Sequence, residues 1–202
     1  MYLSKIDLDL HAESVRQSLR DCGDLHRNVQ RWFASSRSEA GVLYRLNSGM
    51  DGCCLYVLSD NEPEANEMTF RNGMSLAGCR DMSLLEARFE NGTVFSFDLL
   101  TMPCRKKSDG VSKNSRRVCL TVPEEREKWL ERKAAENGFE ILSCQETAEG
   151  VMTAHRKEGT LYLHPMKYVG MLRITDSEMF RSVWQKGIGP EKAYGLGMLM
   201  VR

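Results

Sequence analysis

The sequence predicts an α+β chain made of two βαββαβ halves in tandem. Three observations lead there. The chain opens on the alternation Ile6, Asp7, Leu8, Asp9, Leu10, the period-2 signature of a half-buried strand. Two later segments, "PEEREKWLERKAAENGF" and "TDSEMFRSVWQKG", carry helix start and stop residues at their ends. The order strand, helix, two strands, weak helix, strand runs through the chain twice.

The elements follow in order. After the first strand, residues from about Ala12 to Phe33 are helical, with a break near "DCGD" at Gly23. "GVLYRL" and "CCLYVLS" are strands around the turn "NSGMDG". Residues 60 to 80 read as loop, and "MSLLEARF" as a short helix. "GTVFSFDLL", 92 to 100, alternates well enough through Phe95, Phe97 and Leu99 to be a strand. The basic stretch after it reads as a linker or mobile loop, and "VCLTV" as a strand. In the next helix Pro123 suits the first position, Glu124, Glu125 and Glu127 suit the positive end of the dipole, and Gly138 suits the stop. "FEILSC" and "LYLHPMKYVGMLRI" read as strands. Thr175 and Glu178 form a capping box for the last helix, with Met179, Phe180, Val183 and Trp184 on one face. "GLGMLMV" is the closing strand. Each half, 1–100 and 101–202, is thus a ferredoxin-like (RRM-like) unit.

The bulk composition narrows the class. With 202 residues, 42% hydrophobic and 28% charged, this is a globular chain. No apolar run reaches the roughly 18 residues of a membrane span. Charges among the first apolar residues argue against a signal peptide. Seven cysteines, an odd number without C-x-x-C spacing, predict reduced thiols in a cytoplasmic protein, with no disulfide framework and no zinc site. Most read as small buried hydrophobes, with Cys104 the exposed exception. The net charge is zero, yet "RKKSDGVSKNSRR", 105 to 117, holds Arg105, Lys106, Lys107, Lys113, Arg116 and Arg117 against the single acid Asp109. A neutral total can hide a positive face.

The chain ends on "KGIGPEKAYGLGMLMVR". Gly187 follows a helix and reads as its stop. The wider pattern, G-x-G-x-x-x-x-x-G-x-G around Lys192, is neither a dinucleotide fingerprint nor a Walker A loop. Its context is helix, loop, strand. Gly189, Gly195 and Gly197 would let a polyanion approach the backbone there, with Lys192 facing phosphate.

Among the four histidines, His26 has the most suggestive context. Around a helix at about 100° per residue, Leu25, Val29, Trp32 and Phe33 share an arc. His26 lies on its shoulder, and Arg27 and Arg31 lie further round, one turn apart. An imidazole with an unperturbed pKa of about 6.5 exchanges protons near neutrality. Guanidiniums bind phosphate oxygens in pairs. RNA brings its own nucleophile, the 2′-hydroxyl, so its cleavage needs a base, an acid and cations rather than a metal.

"MYLSKI" with His26 after it, "EKWLERKAAENGFEIL" after a stretch ending in "RRV", and "GIGPEKAYGLGMLMV" at the close together resemble one family almost end to end. It is the CRISPR-associated endoribonucleases of the type I-E Cascade system, the CasE or Cse family. The resemblance implies two ferredoxin-like domains and no cofactor. It implies metal-independent cutting of CRISPR repeat RNA at the base of its stem-loop, leaving a 5′-hydroxyl and a 2′,3′-cyclic phosphate. The product hairpin stays bound, and the protein joins the other Cascade subunits, away from any membrane. His26 matches the family's catalytic histidine, as general acid or base. Arg27 and Arg31 match basic residues at the scissile region, and the closing glycines match a loop that lies against RNA. The stretch from Arg105 to Arg117 matches an RNA-facing region, and Arg156 and Lys157 fall where relatives insert a hairpin into the stem groove. Relatives commonly carry a tyrosine three residues before the histidine, where this chain has Gly23. The second catalytic group is therefore open among Tyr44, Tyr194, Lys192 and Asp24, or is dispensable.

Two other readings stand beside this one. One is a stem-loop-binding module of the same fold that does not cut, for which Gly23 speaks. The other is a small-molecule regulatory domain, disfavoured by the basic segment and the closing loop. No aromatic RNP1 pattern is present, so recognition of a stem by shape and phosphates fits better than readout of a free strand.

Overall fold

The computed structural model describes residues 1–33, 41–49, 52–64, 73–107 and 116–202. Strands β1 (Tyr2–Leu8), β2 (Leu43–Gly49), β3 (Gly52–Ser59) and β4 (Met74–Asp81) form one antiparallel sheet in the order β2-β3-β1-β4. Strands β5 (Val94–Thr101), β8 (Phe139–Ala148), β11 (Met166–Ile174) and β12 (Leu199–Val201) form a second, in the order β12-β5-β11-β8. The connectivity is the same in both: the first strand is central, the third and fourth flank it, and the second lies outside the third. This is the tandem ferredoxin-like arrangement. Two antiparallel ribbons are inserted in the second unit. One pairs β6 (Cys104–Lys107) with β7 (Arg116–Cys119), and the other pairs β9 (Met152–Arg156) with β10 (Gly159–Leu163). The helices are α1 (Glu13–Arg20), α2 (Cys22–Gln30), α3 (Ser83–Glu86), α4 (Pro123–Ala135) and α5 (Ser177–Lys186).

Several expectations need correction. The stretch read as loop contains β4, and β5 belongs to the second sheet rather than closing the first. Sheet membership thus changes between Asp81 and Val94, ahead of the 100/101 boundary drawn from element order. The reason is physical. As an edge strand pairing only with β1, β4 is exposed along most of its length, so backbone hydrogen bonds hold it without an apolar alternation. In β5 the alternation is real, with Phe95, Phe97, Leu99 and Thr101 all buried, but alternation names a face and not a partner strand. The connection from β3 to β4 passes through 65–72, outside the described residues.

Smaller differences follow the same logic. The break in the first helical region is at Asp21, whose extended backbone separates α1 from α2, while Gly23 lies within α2. The basic stretch is paired at both ends, and "VCLTV" is strand only to Cys119. "LYLHPMKYVGMLRI" splits at His164-Pro165 into β10 and β11, since proline supplies no ladder donor. Asp176, not Thr175, caps α5, its carboxylate accepting from the amides of Glu178 and Met179 at 3.1 and 2.9 Å. Met179 is exposed, while Phe180, Val183 and Trp184 face inward.

The two units share buried surface. In the first, Val15, Leu25, Val29 and Trp32 pack on Ile6, Leu55 and Val57. In the second, Trp129, Leu130, Phe180 and Trp184 pack on Phe95, Leu99 and Leu172, and Leu43 and Leu58 of the first sheet join this cluster. Phe89, in the connector, meets Phe95, Phe180 and Trp184 edge-on at 5.0 to 5.8 Å.

An ionic tie crosses between the sheets. Arg45 of β2, almost wholly buried, donates to Asp98 of β5 at 2.7 Å. Removing one member of a buried pair leaves the other charge uncompensated. Arg45→Ala is expected to lower stability by about 3 kcal/mol, since Lys167, 3.8 Å from Asp98, compensates only in part. Chemical denaturation measures it. An unchanged midpoint would show that the tie contributes nothing.

Candidate functional site

The site is built on α2. Asp21 begins it by accepting a hydrogen bond from the amide of Gly23 at 2.8 Å, and Cys22, Leu25 and Val29 anchor its inner face. His26 follows on the half-buried flank. Its ring lies nearly parallel to that of Tyr44, 14° apart with centroids 6.4 Å away. Tyr44, buried on β2, donates from its hydroxyl to the carbonyl of Ala193 at 2.7 Å. Gly195 sits against the same ring: a Cβ there would be 3.0 Å from Tyr44 Cε2. The closing loop thus supports Tyr44, and Tyr44 supports His26. The short 3₁₀ turn Lys192–Tyr194 also lies against α2.

The glycines of that loop are used inward. Gly187 ends α5 with φ 76, as its position after a helix predicts. The amide of Ile188 donates to Gly197 O at 2.7 Å, and that of Gly197 to Leu100 O at 2.7 Å. Gly195 and Gly197 are buried and their amides are bonded within the protein. The expected direct approach of phosphate to these two is therefore corrected: they let the loop close on β5 and Tyr44. Gly189 is half-buried and packs on Thr101 and Trp129.

The β9–β10 ribbon reaches from the second unit to the start of α2. Asp21 accepts from the amide of His155 at 3.3 Å, and Thr153 donates from its hydroxyl to Arg20 O at 3.0 Å. The Cys22 thiol donates to Thr153 O at 3.0 Å, and burial, with the Asp21 charge beside it, pushes its pKa up to about 11. It is a packing thiol in an apolar setting. Cys53 and Cys54 are buried too, but Cys79 and Cys144 are the exposed cysteines and Cys104 is only half-exposed, a correction to the expectation for that residue.

The predicted cations fall into three groups. Arg27 and Arg31 open into a polar cleft of about 280 Å³ with Asn28, Ser14, Gln17 and Ser18, where Arg27 pairs with Asp24. His26 lies on the neighbouring flank and does not line that cleft. Arg156 stacks its guanidinium over the Tyr194 ring, 5.2 Å from the centroid, and donates from Nε to the Tyr194 hydroxyl at 2.9 Å. Lys157 lies exposed in the turn of that ribbon.

The third group lines a cleft of about 560 Å³. Arg105, Lys106 and Arg117 come from the β6–β7 ribbon and Lys192 from the closing loop, over Trp129 and Gly189. Lys107 and Arg116 are a register pair in that ribbon, and Lys113 lies outside the described residues. Arg132 and Lys133 of α4 also line this cleft, and sequence reasoning missed them. On a helix with Glu136 within reach they look like a solvated face, and both do pair with Glu136. Only packing shows that they share a wall with the ribbon. Among the described residues no carboxylate lines this cleft.

Of the candidates for a second catalytic group, Tyr44 is buried with its hydroxyl on Ala193 O, and Asp24 is paired with Arg27. Tyr194 accepts from Arg156, and Lys192 is half-buried beside Gly197. Among the described residues no three His, Cys, Asp or Glu side chains gather as a metal site, and no helix is long and apolar enough to cross a membrane.

Comparison with known proteins agrees on one family. The family described as "CRISPR associated protein" matches residues 1–202. The CRISPR-associated endoribonuclease Cse3 of Thermus thermophilus is 24% identical over 217 residues, covering 100% of this chain and 99% of that one. A structure of the CRISPR endoribonuclease Cse3 bound to a 19 nt RNA superimposes with a TM-score of 0.88 at 23% identity, covering 100% of both chains. A chain of a CRISPR RNA-guided surveillance complex in a pre-nicking state superimposes with a TM-score of 0.76 at 24% identity, over 100% of this chain and 99% of that one.

Proposed function

The chain belongs to the CRISPR-associated protein family, and from that premise we propose that it is a CRISPR RNA endoribonuclease of the Cse type. It cuts the precursor at the base of the repeat stem-loop without a metal, and keeps the product hairpin as a subunit of a cytoplasmic Cascade-type surveillance complex. The observation that carries this reading is the mounting of His26. Its ring is held on Tyr44, which the closing loop supports, on a helix whose next flank bears Arg27 and Arg31.

The chemistry balances without water or cofactor. The 2′-oxygen attacks phosphorus, the bond to the 5′-oxygen breaks, and a 2′,3′-cyclic phosphate and a 5′-hydroxyl result. One proton leaves the 2′-hydroxyl and one reaches the departing oxygen. His26 serves one of these transfers as general base or acid. The cations neutralise charge building on the phosphoryl oxygens. The basic cleft and the β9–β10 ribbon hold the stem by its phosphates. Retention of the product makes single-turnover behaviour sufficient.

Gly23 favours a second reading, a stem-loop binder that does not cut, because no phenol stands at that turn of α2. One experiment separates them. The protein is incubated in chelator with its repeat hairpin and with the same hairpin carrying a 2′-deoxy scissile nucleotide. The expected result is that both bind and only the ribose form is cut. Tight binding with no cut supports the second reading, and cleavage of the deoxy form overturns the proposed mechanism.

A further inference from the structure

One residue of the closing loop breaks a local rule. Glu191 has φ 59 and ψ 31, the only positive φ outside glycine among the described residues. Left-handed backbone crowds a Cβ, so glycine or asparagine is the ordinary occupant. The side chain here is also acidic, on a loop between two groups of cations. Its two carboxylate oxygens are divided between two arginines. Oε1 lies 3.6 Å from Arg117 Nη1, and Oε2 lies 3.5 Å from Arg156 Nη2. Those arginines come from separate ribbons, Arg117 from β7 and Arg156 from β9. The carboxylate is mostly enclosed, at 17% exposure, while the arginines are about half exposed at 54% and 45%.

Stability does not explain this arrangement. Loose pairs to half-exposed arginines contribute little to folding, and a glycine would relieve the backbone. The geometry does match an anion site. Two guanidiniums from two separate ribbons grip two oxygens of one central group, as they would grip the two non-bridging oxygens of a phosphodiester.

We propose that Glu191 is a built-in surrogate for an RNA phosphate: its carboxylate occupies the position between Arg117 and Arg156 until a stem phosphate displaces it. This deepens the proposed function and rests on that reading. The consequence is specificity. An unrelated RNA, offering phosphates alone, must compete with an anion already in place. The repeat hairpin adds contacts in the basic cleft and at α2, and these supply what displacement requires.

The test uses the full-length protein and two labelled hairpins, the repeat and an unrelated stem-loop of equal length, titrated over a salt series. Glu191→Gln keeps the shape and removes the charge. It is expected to bind the unrelated hairpin about tenfold tighter at low salt, with a log K against log[salt] slope steeper by about 1 to 2, for the two arginines released to phosphate. Discrimination between the hairpins narrows. Glu191→Gly, which also removes the backbone strain, should give the same gain, so a poorly folded Gln variant does not obscure the result. In a background of Arg117→Ala with Arg156→Ala, Glu191→Gln should change nothing. Unchanged or weaker binding by both Glu191 variants overturns the proposal while wild type still binds the repeat. If wild type itself binds neither hairpin, the RNA reading fails, and this inference fails with it.

Discussion

His26→Ala is expected to slow cleavage of the repeat hairpin by about 10²- to 10⁴-fold, the usual share of a positioned acid or base, while hairpin affinity stays close to wild type. The separation follows from the architecture. His26 stands on the half-buried shoulder of α2, beside the inner face that Cys22, Leu25 and Val29 anchor and outside the apolar cluster itself. Tyr44 keeps its own anchor on Ala193 when the imidazole is gone. The cations proposed to hold the stem lie elsewhere, on the two ribbons, α4 and the closing loop. Single-turnover rates with protein in excess measure the chemical step apart from product release. A variant that cuts at the wild-type rate would remove His26 from the mechanism. One that loses binding as well would make it a structural residue.

Gly197→Ala is expected to lower stability by about 3 kcal/mol, as much as loss of the Arg45 tie. Two costs combine. The residue has φ 87, where an L side chain is strained by about 1–2 kcal/mol. Its Cβ would stand 2.5 Å from Ile188 O, a backbone atom whose own amide bonds to Gly197, and such overpacking costs about 1–3 kcal/mol. For a chain of this size the melting temperature should fall by roughly 6–12 °C. Displacing the loop also moves Lys192 out of the basic cleft and Tyr194 from under Arg156, so hairpin binding should weaken with it. Gly78→Ala, on the edge strand β4 with open space at the Cβ position, is the control and should melt near wild type. A Gly197→Ala protein as stable as wild type would refute the packing role given to this glycine.

The closing glycines also show how far pattern reading reaches. Their spacing marks a loop of unusual backbone, and four of them do adopt positive φ. What the loop is for could not be read from the pattern. Close approach of backbone to something is what glycine permits, and sequence does not say whether that something is a ligand or the protein itself. At Gly195 it is the Tyr44 ring, and at Gly197 it is Ile188. Glu191 was invisible for the opposite reason. Glutamate in a loop carries no signal until its φ and its two arginine partners are known.

Local chemistry was legible where it acts over a few residues. The alternation of β1 and β5, the punctuation of α4, and the flank of α2 that carries His26 all depend on periodicity and capping, which are properties of consecutive residues. The order of these elements pointed to two ferredoxin-like units, although the strands it assigned to close the first and open the second are not those of the two sheets. Pairing was a different matter. The chain alone did not say that β4 closes the first sheet and β5 opens the second, because a strand's alternation is satisfied by any neighbour that covers its apolar face. Nor did it say that Arg132 and Lys133 share a cleft with the basic ribbon, or that Asp21 joins α2 to a ribbon more than a hundred residues away. Those contacts arise when buried surfaces meet and unrelated segments come within hydrogen-bonding distance. Tertiary packing therefore decided which residues make up the site, while the sequence had determined which residues were chemically able to serve in it.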